Sequence, residues 1–160
     1  MTVLKELISF CEVNKIDHAL VNDTTLLTTF SGTQRKSLSI VFAVGQHYLR
    51  GETFVARNPD DNHEAVYRWM LEQNIKLVLA SYGVDQFGDI YLSSSIPIAN
   101  VDSELIDQLL GVLVSNSDSS FNTLIELGFR NAIEREWAWR TSRGLAADNL
   151  AAFSHLFDSD

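Results

Sequence analysis

The sequence contains a single cysteine, Cys11, among its 160 residues. One cysteine can form neither a disulfide within the chain nor a cysteine-rich zinc site. The fold is therefore not stabilised by either kind of cross-link. No apolar run approaches the roughly 18 residues that a membrane span requires. The first residues also lack the basic start and small-residue cleavage site of a signal peptide. We therefore expect a cytoplasmic protein, with no membrane association, that is stabilised by an apolar core.

Basic residues are scarce as well. The chain has 12 Lys and Arg against 21 Asp and Glu, which gives a formal net charge of -9. Nucleic acid binding requires basic surface that neutralises phosphates, so the charge argues against nucleic acid as a general partner. Segment 129–144 is the exception, because it carries +2 and leaves -11 on the remainder. Its arginines are Arg130, Arg135, Arg140 and Arg143.

None of the common catalytic or ligand-binding motifs occurs. No histidine has a second histidine four residues on, no GxSxG elbow is present, and both phosphate-cradling glycine patterns are missing. The most suggestive acidic pair, Asp85 and Asp89, lies in the stretch VDQFGDIYLSSSIPI, where Asp and Gly are what a hairpin turn needs. We read this stretch as a structural hairpin. We therefore expect no catalytic, cofactor or metal site.

The spacing of apolar residues predicts an α+β protein. Leu4, Leu7, Ile8 and Cys11 form one face of a first helix, which Asn14 ends. Turn signals then separate runs rich in valine, threonine and aromatic residues. The predicted strands are His18–Asn22, Leu26–Phe30, Leu38–Val44, Thr53–Arg57, Ile75–Tyr82 and Ile90–Ile96, with turns at Asn22-Asp23, Ser31-Gly32 and Gly51 and a solvated basic loop at Gln34–Lys36.

Cap and breaker residues predict the other helices. Asp61 and Glu64 have capping-box spacing at the start of a helix that Asn74 ends. Asp102 caps the next helix, and the serine-rich segment Ser115–Ser120 either interrupts this helix or gives it one polar face. Helical spacing resumes at Phe121 and is predicted to end at Gly128, followed by two helical stretches separated near Gly144.

The second half of the predicted order of helices and strands resembles that of a known protein family. A helix ending in LEQNIKL (71–77) is followed by GVDQFGDIYL (83–92), and IPI (96–98) precedes a capped helix. The arrangement resembles the YbjN-like family of bacterial proteins, which are labelled sensory transduction regulators. Asn74, Gly88, Asp89 and Pro97 stand at matching positions. The resemblance covers residues 1–127 and is most specific over 71–113.

The resemblance implies a fold and a class of function. The YbjN-like fold is similar to that of the class I chaperones of type III secretion, which are small acidic homodimers that hold an extended partner segment against their sheets. It implies an antiparallel sheet with helices on one face, in the order α-β-β-β-α-β-β-α, over residues 1–128. Residues 129–160 would add a helical C-terminal extension. We expect a non-catalytic protein-binding module that regulates or chaperones a partner, and a homodimer.

In that fold the dimer is built around the middle helix and the strand after it. Carried over to this chain, these are Asp61–Gln73 and Ile75–Tyr82. The candidate dimer or partner contacts are therefore Trp69, Met70, Leu77 and Leu79, with Trp137 and Trp139 of the C-terminal segment added because two tryptophans are rarely left in solvent. The alternative is that the first four are core residues.

Two other functions stay open from the sequence. A small-molecule enzyme could assemble its site from His18, His47, Asp85 and Asp89 if the fold brought them into one pocket. The arginines and tryptophans of the C-terminal segment could bind nucleic acid by phosphate contact and base stacking, against the overall charge.

Overall fold

The chain folds around one six-stranded antiparallel sheet, and the computed structural model describes residues 2–158. The helices are α1 (Val3–Val13), α2 (His63–Lys76), α3 (Ser103–Ser119) and α4 (Phe121–Ser142), with 3-10 segments at Ile98–Asn100 and Asp148–Leu156. The strands are β1 (Asp17–Asn22), β2 (Thr25–Phe30), β3 (Leu38–Val44), β4 (Tyr48–Ala56), β5 (Ser81–Val84) and β6 (Ile90–Pro97). Their spatial order is β1-β2-β3-β4-β6-β5, so β1 and β5 are the edges. The predicted α+β fold with an antiparallel sheet is confirmed.

Helices α1 and α3 pack on one face of the sheet. Buried and exposed side chains alternate along β3 and β4, as expected when only one face of a sheet is covered. Helix α3 contacts β3, β4, β6 and α1, and its first turn is capped as predicted, by a 2.8 Å hydrogen bond from the Leu105 N–H to Asp102 Oδ1. The core includes Leu7, Cys11, Leu26, Ile40, Phe42, Leu92, Ile106, Leu109 and Leu113. None of the helices within residues 2–158 combines the length and apolar character that crossing a bilayer requires.

The stretch VDQFGDIYLSSSIPI forms the predicted hairpin, from the end of β5 through β6. Asp85 Oδ1 accepts hydrogen bonds from the N–H groups of Phe87 and Asp89 at 2.8 and 2.9 Å. Gly88 has φ +83°, a conformation that side-chain-bearing residues rarely adopt, and Pro97 is the last strand residue. The Asp85 carboxylate therefore stabilises the turn, whereas Asp89 Oδ1 accepts the Asn58 N–H at 2.8 Å and ties the turn to the segment after β4.

The predicted strand Ile75–Tyr82 is wrong in its bounds. Helix α2 continues to Lys76, and β5 begins only at Ser81. The cause is Asn74, which does not cap the helix. Its side chain accepts a 2.7 Å hydrogen bond from the Tyr82 N–H and donates to the Tyr82 carbonyl at 3.1 Å. This clamp holds β5 against the last turn of α2.

Strand β4 is longer than the predicted Thr53–Arg57. It begins at Tyr48, and Gly51, predicted to be a turn, lies inside it. The chain turns instead at Gly45, whose N–H donates to the Tyr48 carbonyl at 2.9 Å. Strand β4 pairs with β3 and β6, so four strands precede α2, as the four predicted strands indicate and one more than the order that the resemblance implies.

The predicted capping box at Asp61 is also wrong. Asn62 takes the N-cap position with φ 53° and makes no side-chain cap. The Asp61 carboxylate instead accepts a hydrogen bond from Asn131, and the N–H groups of Asp60 and Asp61 donate to the Gly128 carbonyl at 3.0 and 3.2 Å. The start of α2 is thus fixed by contact with α4.

Of the two alternatives for the serine-rich segment Ser115–Ser120, an interruption of the helix is wrong, because α3 continues to Ser119. Asn116 and Ser117 direct their side chains to helical carbonyls one turn back, at 2.8 and 3.2 Å, so they do not unwind the helix. Helix α4 follows α3 after Ser120 alone.

The basic loop Gln34–Lys36, predicted to be solvated, is anchored to Asp118 of α3. The buried Asp118 carboxylate accepts the backbone N–H groups of Thr33, Gln34 and Arg35 at 2.9 to 3.1 Å, and the Thr33 hydroxyl at 2.7 Å. A Cβ on Gly32 would lie 2.1 Å from Asp118 Oδ1, so only glycine permits this approach. Burial opposes ionisation, but these hydrogen bonds prevail and hold the pKa of Asp118 below its ordinary value.

Helix α4 does not end at Gly128 as predicted. It kinks at Phe129 (φ -136°, ψ 20°) and continues to Ser142. The chain then turns at Gly144, as predicted, with φ 64°, and the last segment is a 3-10 helix. We call residues 129–158 the C-terminal arm. The division of the chain into a domain at 1–128 and an extension at 129–160 stays a prediction.

Candidate partner-binding surfaces

Helix α2 has a second apolar face that residues 2–158 cover only at Tyr67, which packs against the core. Tyr67, Leu71 and Ile75 follow one another at four-residue spacing, and Ile75 is 88% exposed and Leu71 66%. Exposed Val78 and Val84 continue this surface toward β5. We call these five residues the α2 face. Large apolar patches of this kind mark interaction sites on soluble proteins.

Charged residues of both signs accompany the α2 face. Glu64, Arg68, Glu72 and Lys76 follow one another at four-residue spacing, with alternating sign. Within the described part of the chain none of the four forms an ion pair. Their charges are therefore free to meet a partner.

The predicted contacts of the middle helix lie on its other side. Met70 is 5% exposed in the main core, and Trp69 is half-buried with its ring 5.5 Å from that of Tyr82. Leu77 packs against the core, and Leu79 is half-buried with a left-handed backbone, φ 65°. These four therefore support the helix that presents the α2 face, and their direct role in contacts stays a prediction.

Leu71, Ile75, Val78 and Val84 were not among the contact residues predicted from the sequence. The signal was nonetheless present, because Tyr67, Leu71 and Ile75 repeat at helical spacing on a stripe separate from Val66 and Met70. A helix with two apolar stripes buries one of them in the core of the protein and leaves the other exposed to a partner.

The opposite edge of the sheet also presents apolar side chains. Strand β1 pairs only with β2 among the described residues, and Leu20 and Val21 are exposed. A bulge between Leu20 and Asn22 ends the regular register. Residues Asp17–Leu20 are therefore the regular part of this edge, with backbone N–H and C=O groups available to an added strand.

The four residues of the enzyme alternative do not come together. His18 lies on β1, and Asp85 and Asp89 lie in the turn beside β5, at the opposite edge, about 24 Å away for five strand spacings. His47 lies in the β3–β4 turn, at the other end of the sheet from the β5–β6 turn. His18 Nδ1 is hydrogen-bonded to the Ile16 carbonyl at 2.8 Å. These residues do not form one pocket.

Buried titratable groups outside these surfaces have structural roles. Burial raises the pKa of the Cys11 thiol, and the nearby Glu12 carboxylate adds to this, which keeps the sulfur protonated and poorly nucleophilic. Burial likewise raises the pKa of Tyr82, whose hydroxyl donates to the Asn116 carbonyl at 3.1 Å. Both groups belong to the core.

The two candidate tryptophans of the C-terminal arm have different surroundings. Trp137 stacks on Phe157, with ring centroids 4.3 Å apart and planes at 8°, against a small core of Ile133, Leu150 and Phe153. Trp139 points away from this core and is 46% exposed, under the guanidinium of Arg143. Trp137 holds the arm together, whereas Trp139 is available to a partner.

Comparison with known proteins gives the family. The sequence profile described as "Putative bacterial sensory transduction regulator", YbjN, matches residues 4–126. The chain belongs to the YbjN family. This YbjN-family chain is 44% identical over 135 residues to an uncharacterized protein of Mycobacterium leprae, covering 84% of this chain and 73% of the relative. It is equally identical over 131 residues to a Mycobacterium tuberculosis protein, covering 82% and 72%.

Solved structures share the fold at low sequence identity. The HopA1–SchA chaperone–effector complex contains a chain with TM-score 0.56 and 13% identity, covering 71% of this chain and 88% of that one. The ExsC–ExsE complex gives 0.58 and 16%, covering 76% and 92%. The Yersinia pestis type III secretion chaperone SycH, in complex with a YscM2 fragment, gives 0.53 and 14%, covering 72% and 97%. The likeness establishes the chaperone-like fold.

Proposed function

We propose that this YbjN-family protein is a non-catalytic regulator that acts as a homodimer and binds an extended segment of a partner protein. The observation that carries the proposal is that each edge of the sheet presents uncovered apolar side chains. The α2 face lies beside β5, and Leu20 and Val21 lie on β1. One edge fits a second copy of the chain, and the other fits an added strand.

Charge order selects a second copy as the occupant of the α2 face. A two-fold axis perpendicular to α2 at the level of residue 70 places Glu64 opposite Lys76 of the second copy, and Arg68 opposite its Glu72. Each acidic residue then faces a basic one, and each pair occurs twice. An isologous interface requires this self-complementarity.

The same axis brings exposed apolar residues of the α2 face toward the centre of the contact. Leu71 lies next to the level of the axis, so the Leu71 side chains of the two copies come close together, and Ile75 lies about one turn further out. Complete burial of a Leu or Ile side chain contributes about 1.5–3 kcal/mol. Two copies each of Leu71 and Ile75 thus supply an apolar centre, and the charges around it fix orientation more than affinity.

The β1 edge suits an extended segment because its regular part has unpaired backbone groups and no proline or lysine. Lysine, proline and bulges are the usual protections of an edge strand, and only the bulge after Leu20 is present. Added strands gain affinity from main-chain hydrogen bonds and specificity from alternate side chains. The likeness to chains solved in chaperone–effector complexes supports a protein partner.

The test places a photo-crosslinking amino acid at Leu20 and, as matched control, at Val13, which is exposed on α1. We expect crosslinks to one partner segment from Leu20 and not from Val13. The crosslinked segment, made as a synthetic peptide, should then slow amide hydrogen exchange across Asp17–Leu20. Light scattering of the free protein should give the mass of two chains.

Three results would contradict the proposal. Crosslinks of equal yield from Leu20 and Val13 would show non-specific capture. If the peptide slowed amide hydrogen exchange in a region other than β1, the partner would bind at that region instead. A single-chain mass at micromolar concentration would remove the homodimer while leaving strand addition intact, so the two parts are tested separately.

A further inference from the structure

The C-terminal arm presents a row of three exposed side chains. Arg135, Trp139 and Arg143 follow one another at four-residue spacing and so lie along one side of α4. Trp139 and Leu145 are the exposed large apolar side chains among the described residues of the arm. A shallow depression beside the row is lined by Ala132 and Glu136.

The other arginines of the arm are already satisfied. Arg130 pairs with Glu134 at 3.0 Å, and Arg140 pairs with Glu136 at 2.6 Å and also donates to the Ala146 carbonyl. Within residues 2–158, Arg135 and Arg143 form no ion pair. The positive charge that the arm leaves uncompensated is therefore concentrated on either side of Trp139.

The fold accounts for one of these two arginines. Arg143 is the C-cap residue of α4, where the helix dipole stabilises a cation, and it also stacks over the Trp139 ring at 5.1 Å. Arg135 is exposed in the middle of the helix and touches no acidic side chain of the described chain. Arg135 is consequently the residue whose function is most open to test.

We propose that Arg135, Trp139 and Arg143 bind an acidic segment of a partner protein, at a site separate from the α2 face and the β1 edge. The backbone positions of Arg135 and Arg143 are about 12 Å apart along the helix axis, at 1.5 Å per residue, and the Arg143 guanidinium lies over the intervening Trp139 ring. An extended chain covers that distance in about four residues, at roughly 3.3 Å each. The segment that fits has two carboxylates at this spacing, with an apolar side chain between them for Trp139.

Charge favours a short acidic peptide over nucleic acid. The chain outside segment 129–144 carries -11, and at physiological salt its field acts over about 8 Å. A long polyanion that contacts the row would extend past this segment and be repelled by the acidic remainder, whereas a short peptide would not. The site also lies beyond residues 4–126, which match the family profile, so it adds to the proposed function without depending on it.

The test uses fluorescence anisotropy with the full-length protein and three labelled probes. These are a short peptide with two glutamates at the fitting spacing around a leucine, the same peptide with lysines in place of the glutamates, and single-stranded oligothymidine of similar length. We expect salt-dependent binding of the glutamate peptide only. Arg135→Glu combined with Arg143→Glu should weaken it at least tenfold, and Trp139→Ala about tenfold.

The matched control is Lys5→Glu combined with Lys36→Glu, which changes the net charge equally at exposed positions outside the arm. It should alter the affinity by less than about twofold. No binding of the glutamate peptide up to millimolar concentration, or an equal loss in the control, would overturn the proposal. Tighter binding of oligothymidine would assign the row to nucleic acid instead. A change of oligomeric mass in the Arg135/Arg143 variant would assign it to a second copy.

Discussion

The α2 face and the Arg135–Trp139–Arg143 row are both uncovered sides of long helices, yet their chemistry differs. The α2 face is aliphatic, and charges of both signs alternate beside it. The row on α4 has one aromatic ring between two charges of the same sign, which the chain itself does not neutralise. Alternating signs can be matched by a second identical helix, whereas two like charges cannot.

This difference predicts which surface binds a copy of the chain and which binds another molecule. A homodimer built on the row would bring like charges together. The free energy cost of this repulsion is inversely proportional to the distance between the charges. The same contact on the α2 face brings opposite charges together. Self-association and partner binding should therefore be separable by mutation.

The largest expected effect is the loss of the dimer in Ile75→Glu. This change places a carboxylate at the most exposed apolar position of the α2 face, where dimerisation would bury it unpaired, twice per dimer. We expect the dissociation constant to rise at least about 100-fold, or roughly 3 kcal/mol. Light scattering across a concentration series measures this, with Val13→Glu as the matched control. Unchanged mass in Ile75→Glu would show that α2 is not the interface.

Asp118→Asn should reduce stability and leave the mass unchanged. The amide cannot accept three backbone N–H groups as a carboxylate does, so we expect a loss of about 2 kcal/mol in the free energy of unfolding at pH 7, measured with urea. The pKa of Asp118 in the folded protein lies below the ordinary 3.8. Above pH 3.8, the free energy of unfolding of the wild type should therefore exceed that of the variant by the full difference. It should then disappear as pH falls through the folded pKa. A difference that persists at lower pH would contradict this account.

Reversing one charge pair on α2 should have a smaller effect. Arg68→Glu would face Glu72 of the second copy, and we expect about 1 kcal/mol weaker dimerisation, close to fivefold. Combining it with Glu72→Arg restores opposite signs across the two-fold axis and should return most of the affinity. Failure of the double variant to recover would argue against the proposed axis, even if Ile75→Glu dissociates the dimer.

The smallest effect is expected for Trp139→Ala on the isolated protein. Since the ring is 46% exposed and outside the small core of the arm, stability should change by no more than about 0.5 kcal/mol. Trp137→Ala removes the ring stacked on Phe157 and should cost about 2–3 kcal/mol of arm stability, seen as a separate early transition. Equal costs for both tryptophans would show that Trp139 is structural.

Local sequence signals located most elements of the fold but misjudged those that depend on distant contacts. The β5–β6 hairpin follows from Gly88 and its flanking aspartates, and the start of α3 follows from Asp102. The end of α2 does not, because Asn74 pairs with Tyr82 in place of capping its own helix. Likewise, the serine-rich end of α3 remains helical because the Asp118 carboxylate accepts hydrogen bonds from a loop more than eighty residues earlier in the chain.

The surfaces were only partly predictable for a related reason. The sequence identified α2 and the two arm tryptophans as carriers of contacts, yet helical spacing alone cannot say which of two apolar stripes is buried. That depends on where β5 and α4 pack, which is fixed by Asn74 and by the Gly128 carbonyl. Trp137 and Trp139 were distinguishable in principle, since residues two apart face different sides of a helix.

The kink at Phe129 has a consequence for valency. The arm continues α4 and is hydrogen-bonded at its start to Asp60 and Asp61, so it is joined to the rest of the protein by a helix and not by a flexible linker. Two copies joined through α2 would carry two such arms, with a separation set by the helices. A ligand with two acidic segments would then gain avidity only if its spacer spans that separation, since effective concentration falls to near zero for shorter spacers. The dimer would in that sense act as a molecular ruler.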